Sequence, residues 1–208
     1  MIKGAVNWDD AKIRYDQSNN IVENFLEKQK VLNNCNFIYE SCNVESASCS
    51  IEAVGGEWKV KKPVINGKEF LGYGDLMFDF LNSDSFKNDL PVNSDKFPNN
   101  EFIDNLSYCV SLFSDCGSKV HYFDNIEIMV SDMKEYLKAG SSIVLSYKTD
   151  YGTSHFITIV AYDFERHEFI CYDPWKNNRH CKNGGVKERY RDDFFLKRSR
   201  KRFMEVWK

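Results

Sequence analysis

The stretch His155-Phe156-Ile157-Thr158-Ile159-Val160-Ala161-Tyr162, then Asp163-Phe164-Glu165-Arg166-His167, then Glu168-Phe169-Ile170-Cys171-Tyr172-Asp173-Pro174 decides the fold. The two apolar runs are short, rich in β-branched and aromatic residues, and separated by a polar turn, which predicts strands joined as a hairpin. Pro174 has no N–H for a ladder, so the second strand ends at Asp173-Pro174. Ile143-Val144-Leu145-Ser146-Tyr147 supplies a strand before them, completing an antiparallel meander.

Upstream of the meander the period changes to helical. Ile21, Val22, Phe25, Leu26, Gln29 and Leu32 predict a helix over 21–32 behind Asn20 as N-cap. Residues 36–41 read as an extended approach to a second helix over 42–54, which Gly55-Gly56 stops with a left-handed C-cap. Residues 57–100 are rich in Asn, Asp, Lys, Pro and Gly and read as turns around one short helix, Asp75 to Leu81. Helices over 100–113 and from Ile126 to Leu137, closed by Gly140, precede the strands, and the tail beyond 187 reads as a final strand and helix. Without an internal repeat or a low-complexity linker, the expectation is one α+β domain over 1–208, with N-terminal helices packed on a C-terminal antiparallel sheet. Residues 57–125 form an elaboration of it.

Composition narrows the class. A chain of 208 residues, 42% hydrophobic and 28% charged, is neither collagen-like, a long coiled coil nor disordered. At this size folding buries roughly 70% of the unfolded surface, so no metal or disulfide staple is needed. The formal charge of −3 gives no argument for nucleic acid as partner. The basic run from Lys182 to Arg202 is interrupted by Glu188, Asp192 and Asp193 and reads as a solvated face. No run of about 18 apolar residues exists, so membrane insertion is not expected. The opening Met1-Ile2-Lys3-Gly4-Ala5-Val6 has no leader-like apolar region, and a cytoplasmic location is the default, with release or secretion left open. Oligomeric state is not legible.

Seven cysteines stand at 35, 42, 49, 109, 116, 171 and 181. Zinc sites favour pairs a few residues apart. The spacing of seven seen here is two helical turns, roughly 10 Å, and suits a core stripe better, so no metal and no cofactor is expected. Core packing is the expectation for Cys35, Cys49, Cys109, Cys116, Cys171 and Cys181. Cys42 differs because it opens a predicted helix, where unpaired N–H groups favour a thiolate. Of the four histidines, His121, His167 and His180 fall in loop or turn contexts, whereas His155 starts a strand at the rim of the sheet. The hairpin brings His155 and Asp173 to the same edge. A thiol, a ring base and an acceptor to orient that base are what a nucleophilic cysteine needs.

Cys42-Asn43-Val44-Glu45-Ser46-Ala47, Ser154-His155 with its apolar strand, and Tyr172-Asp173-Pro174-Trp175 together resemble the peptidase C39-like branch of the papain-like cysteine peptidases. The resemblance implies a papain-like fold, with Cys42 as nucleophile, His155 as general base and Asp173 as the residue that orients it. It also implies an oxyanion-hole glutamine: Arg14-Tyr15-Asp16-Gln17-Ser18-Asn19-Asn20 matches the family's upstream segment, which makes Gln17 the counterpart. Glu45 stands where the family usually has threonine and Ser154 where it usually has glycine. The expected activity is that of a cysteine peptidase or amidase acting through an acyl-enzyme on a peptide or protein, a peptidoglycan peptide included. The rival expectation is a catalytically inactive binding or structural protein of the same fold, for which the acid at Glu45 speaks.

Overall fold

The computed structural model describes residues 1–9, 42–59, 64–65, 68–69, 73–94, 97, 99–174 and 186–208. The helix expected over 21–32 and the extended segment 36–41 lie outside the described residues, as do Gln17, Cys35, Trp175, His180 and Cys181. In chain order the elements are β1 (Ile2–Gly4), α1 (Cys42–Ala53), β2 (Val64–Ile65), β3 (Lys68–Glu69), α2 (Tyr73–Asn82) and α3 (Ile103–Phe113). Then come β4 (Gly117–Tyr122), α4 (Ile126–Lys138), β5 (Ser142–Lys148), β6 (Ser154–Asp163) and β7 (Glu168–Asp173). The chain closes with β8 (Val186–Arg191), α5 (Asp192–Arg198) and β9 (Arg202–Trp207). Mixed helices and antiparallel strands make this an α+β protein.

β4, β9, β5, β6, β7 and β8 lie side by side in that order, and β1 adds a seventh strand along β6. β6 is long enough to serve two partners on one edge: Ser154 to Ile159 pair with β5, and Ala161 to Asp163 with β1. The turn after β6 forms as its sequence suggests, with Asp163 Oδ1 accepting the N–H groups of Glu165 (3.1 Å) and Arg166 (3.3 Å). β7 stops at Asp173, before Pro174.

Side-chain alternation along these strands feeds two cores. Phe156, Val160, Ile170, Val144, Met204 and Val206 pack under α1, α2 and α3. Ile157, Ile159, Phe169, Cys171, Ile143, Leu145 and Phe203 pack under α4 and α5 on the other face. A bulge between Ile159 and Ala161 lets Val160 and Ala161 both face the first core before alternation resumes at Tyr162. Strands buried on both faces read as continuous apolar runs, which is why β5, β6 and β7 are conspicuous in the sequence. Burying each Ile or Val of these runs contributes about 1.5–3 kcal/mol.

α1 is the central helix, with eleven of its twelve residues buried. Such a helix cannot show a polar stripe, and its small residues let it lie close on the sheet. Hydroxyls tie it down: Ser48 Oγ donates to Val44 O (2.9 Å), and from the sheet Thr158 Oγ1 donates to Ser46 O (2.7 Å) and Ser142 Oγ to Ser50 O (3.0 Å). The helix ends where Gly55 adopts φ +74°. There Gly55 N–H donates to Glu52 O (3.0 Å) and Gly56 N–H to Ile51 O (2.9 Å), the paired bonds of a Schellman cap.

Two expectations need correction. Helices do not all precede the sheet, because β1 and β4 come early and take places beside β6 and β9. The tail is strand, helix and strand rather than one strand and one helix, and β9 sits inside the sheet between β4 and β5. Within residues 57–125, β4 belongs to the main sheet and α3 packs on the first core. The loop leading into α3 is fastened by the buried Asn105, whose Nδ2 donates to Val92 O and Asn99 O (both 2.8 Å).

Candidate active site

The first residue of α1, the second of β6 and the last of β7 meet at one rim of the sheet. His155 and Asp173 project from the α4/α5 face, in phase with Ile157 and Cys171 on their own strands. Cys42 arrives from the opposite side at the N-terminus of α1. His155 Nε2 lies 2.8 Å from Asp173 Oδ1, and Asp173 is fully buried. The Cys42 side chain is near enough to act electrostatically on the same ring. With Nε2 held by Asp173, Nδ1 is the nitrogen left for sulfur. Tyr147, opposite His155 on β5, sets its ring edge-on to the imidazole at 5.6 Å between centroids. Packing and the carboxylate therefore fix the ring.

Burial of the imidazole works to lower its pKa, but its hydrogen bond to the Asp173 carboxylate and the negative charge of Asp173 and Cys42 outweigh it. The His155 pKa is pushed up to about 10. An imidazolium held between a carboxylate and a sulfur is the proton donor that a thiolate needs beside it. The other described thiols lie elsewhere. Cys49, Cys109 and Cys171 are buried in the cores, and burial pushes each thiol far above its ordinary range. Burial also raises Cys116. These four are core cysteines, as expected of free thiols.

A cleft of about 340 Å³ opens at the Cys42 side of this trio. Cys42, Ser154 and Phe156 line it, with Glu101 from the loop before α3, Arg200 from the segment ahead of β9 and Arg202 from the start of β9. His155 and Asp173 lie behind the lining. Ser154 Oγ accepts a bond from the Arg200 guanidinium (2.9 Å). Glu101, Arg200 and Arg202 escape a reading of the sequence as site residues, since two belong to a basic run and one to a turn. Their only signal is alternation, because Arg200 and Arg202 sit two apart at the mouth of a strand.

Glu45, three residues after Cys42, is fully buried beneath α2. A Cβ on Gly74 would lie 2.5 Å from Glu45 Oε1, so the two helices touch there. The acid is thus an interior residue and not a solvated helix-start carboxylate. His121, expected in a loop, lies instead in β4, with Nε2 3.0 Å from Glu205 Oε2 and Tyr136 Oη 3.5 Å from Nδ1. His167 is in the turn before β7 with φ +56°. Among the described residues no group of three His, Cys, Asp or Glu side chains is placed to hold a metal ion, and no helix is long and apolar enough to cross a membrane.

The family described as "Peptidase_C39 like family" matches residues 25–201, which span both α1 and the meander. The chain belongs to this peptidase C39-like family. A search of curated proteins finds no match. Membership supports a hydrolase of the peptidase or amidase kind.

Proposed function

We propose that this protein is a cysteine peptidase or amidase built as one papain-like domain, with Cys42 as nucleophile, His155 as general acid and base, and Asp173 holding the ring. The observation that carries the proposal is the buried His155–Asp173 bond of 2.8 Å on a ring that also feels the helix-start Cys42. The thiolate attacks the carbonyl carbon of a peptide or amide. The tetrahedral oxyanion accepts hydrogen bonds from the Cys42 N–H and the side-chain amide of Gln17. The C–N bond breaks as His155 gives its proton to the leaving amine, and a thioester remains on Cys42. His155 then takes a proton from water, the hydroxide attacks the thioester, and the carboxylic acid leaves as the thiol re-forms with that proton. The substrate is a peptide or protein, peptidoglycan peptides included, and residues 57–125 contribute to its recognition.

A peptidyl acyloxymethyl ketone tests the assignment. Intact-mass and peptide mapping should find one adduct, on Cys42, and none in Cys42→Ala. Adducts spread over several cysteines, or an unlabelled Cys42 in folded protein, would remove the nucleophile and leave an inactive binding protein of the same family.

A further inference from the structure

The cleft beside Cys42 carries more positive charge than the proposed chemistry uses. Most described cations near a carboxylate are paired with it: Arg189 with Asp163 and Glu168, Arg198 with Asp150, Lys134 with Asp192, Lys197 with Asp193, and Lys208 with Asp115. Arg200 and Arg202 form no such ion pair among the described residues, although both face the cleft. Neither position is accidental. The Arg200 N–H donates to Ser146 O (3.4 Å), its guanidinium donates to Ser154 Oγ (2.9 Å), and Arg202 N–H donates to Arg200 O (2.7 Å). Ser199 bridges to Tyr147, so this corner is stitched to the strand of His155 and to β5 beside it. Arg202 reaches the Tyr122 phenol, which itself donates to Asp104 Oδ2 (2.6 Å).

Each guanidinium offers five N–H donors, and the protein bonds named here occupy one or two of them. Among the described residues of the lining Glu101 is the one carboxylate, against two arginines. Guanidinium groups match carboxylates with two parallel bonds, a geometry an ammonium lacks. Ser154, the residue before His155, ties Arg200 to the reacting centre, so an anion held there lies within a residue or two of the attacked carbonyl.

We infer that the cleft selects substrates bearing a carboxylate next to the scissile bond, held by Arg200 and Arg202. This inference rests on Cys42 being the nucleophile. The carboxylate is either an acidic side chain or a free C-terminal α-carboxylate; the chemistry at the arginines is the same.

Iodoacetate and iodoacetamide carry the same reacting carbon and differ in a carboxylate against a neutral amide. Their rates on Cys42, located by mass spectrometry, give a ratio. The His155 charge favours iodoacetate in every variant, so the change in ratio on substitution is the readout. Arg200→Gln and Arg202→Gln should each lower the iodoacetate-to-iodoacetamide ratio about tenfold, the size of one charge-assisted hydrogen bond. Arg200→Lys should restore part of it, and added salt should compress the wild-type ratio. Protection of Cys42 from iodoacetamide by three short peptides separates the sources: one with a Glu side chain and an amidated C-terminus, one with a free C-terminus and no acid, and one with neither. Better protection by either carboxylate peptide names the source. Equal protection by all three, or ratios that ignore both arginines while Cys42 still reacts fastest of the thiols, overturns the inference and leaves the nucleophile standing. A Cys42 no more reactive than the other cysteines would instead bring down the proposed function.

Discussion

Replacing Asp173 by Asn removes one charge from a buried bond while keeping its shape, because the Asn carbonyl still accepts from His155 Nε2. The native bond is 2.8 Å long and sealed from water. Hydrogen bonds to charged groups contribute about 1.5–3 kcal/mol against about 0.5–1.5 for neutral ones, so Asn forfeits about 1–2 kcal/mol of preference for the imidazolium. That is a fall of about one pH unit or slightly more, starting from a His155 pKa of about 10. The assay is the rate of Cys42 alkylation by iodoacetamide between pH 5 and 11. The upper of its two inflections, where the imidazolium loses its proton, should move down by about that amount in Asp173→Asn. Stability follows the same linkage. A histidine whose folded pKa is raised contributes stability that is fully present below its ordinary pKa and is lost as pH rises through about 10. The wild type should therefore lose melting temperature across that window, and Asp173→Asn should lose less of it. An upper inflection and a pH–stability curve that are both unchanged in Asp173→Asn would refute the electrostatic role given to this carboxylate.

Other substitutions test other links. Gln17→Ala should leave the melting temperature unchanged and slow single-turnover acylation by about 10² to 10³, the usual cost of one oxyanion donor; an unchanged rate would take Gln17 out of the mechanism. Gly4→Ala should destabilise the protein by about 1–3 kcal/mol in urea unfolding, because its Cβ would stand 2.2 Å from Val160 O and 2.4 Å from Ala161 Cβ. Equal stability there would mean β1 shifts along β6 without cost. Glu45→Gln keeps the volume beneath α2 while removing a carboxylate one turn from Cys42, so alkylation of Cys42 at pH 5 to 6 should speed up; a slower rate would place the acid's influence elsewhere.

The parts of the fold that were legible are those where burial writes a pattern. β5, β6 and β7 are covered on both faces, so their sequences are apolar runs closed by Asp163 or Pro174. α1 was located by Gly55, since a buried, serine-rich helix has no polar face to reveal its period. β4 was missed because Gly117-Ser118-Lys119-Val120-His121-Tyr122 is an edge strand with few apolar residues, recognisable only once β9 lies beside it. β1 was missed because three residues carry no period, and its pairing with β6 is made by backbone groups. For the site, a strand start and a strand end only suggest His155 and Asp173; the family resemblance names them, and the hairpin register leaves them near each other at one rim. Arg200 and Arg202 were lost in a basic run, since composition does not say which cations a tertiary cleft will collect.

The central claim is that Cys42 owes its reactivity to His155. The most direct measurement is the alkylation rate of each cysteine by iodoacetamide at pH 6.5, resolved by mass spectrometry, in the wild type and in His155→Ala. Cys42 should react far faster than Cys49, Cys109, Cys116 and Cys171 in the wild type and should fall by at least about tenfold in folded His155→Ala, in line with the loss of a positioned general base. A Cys42 rate that is the same in both proteins would contradict the account.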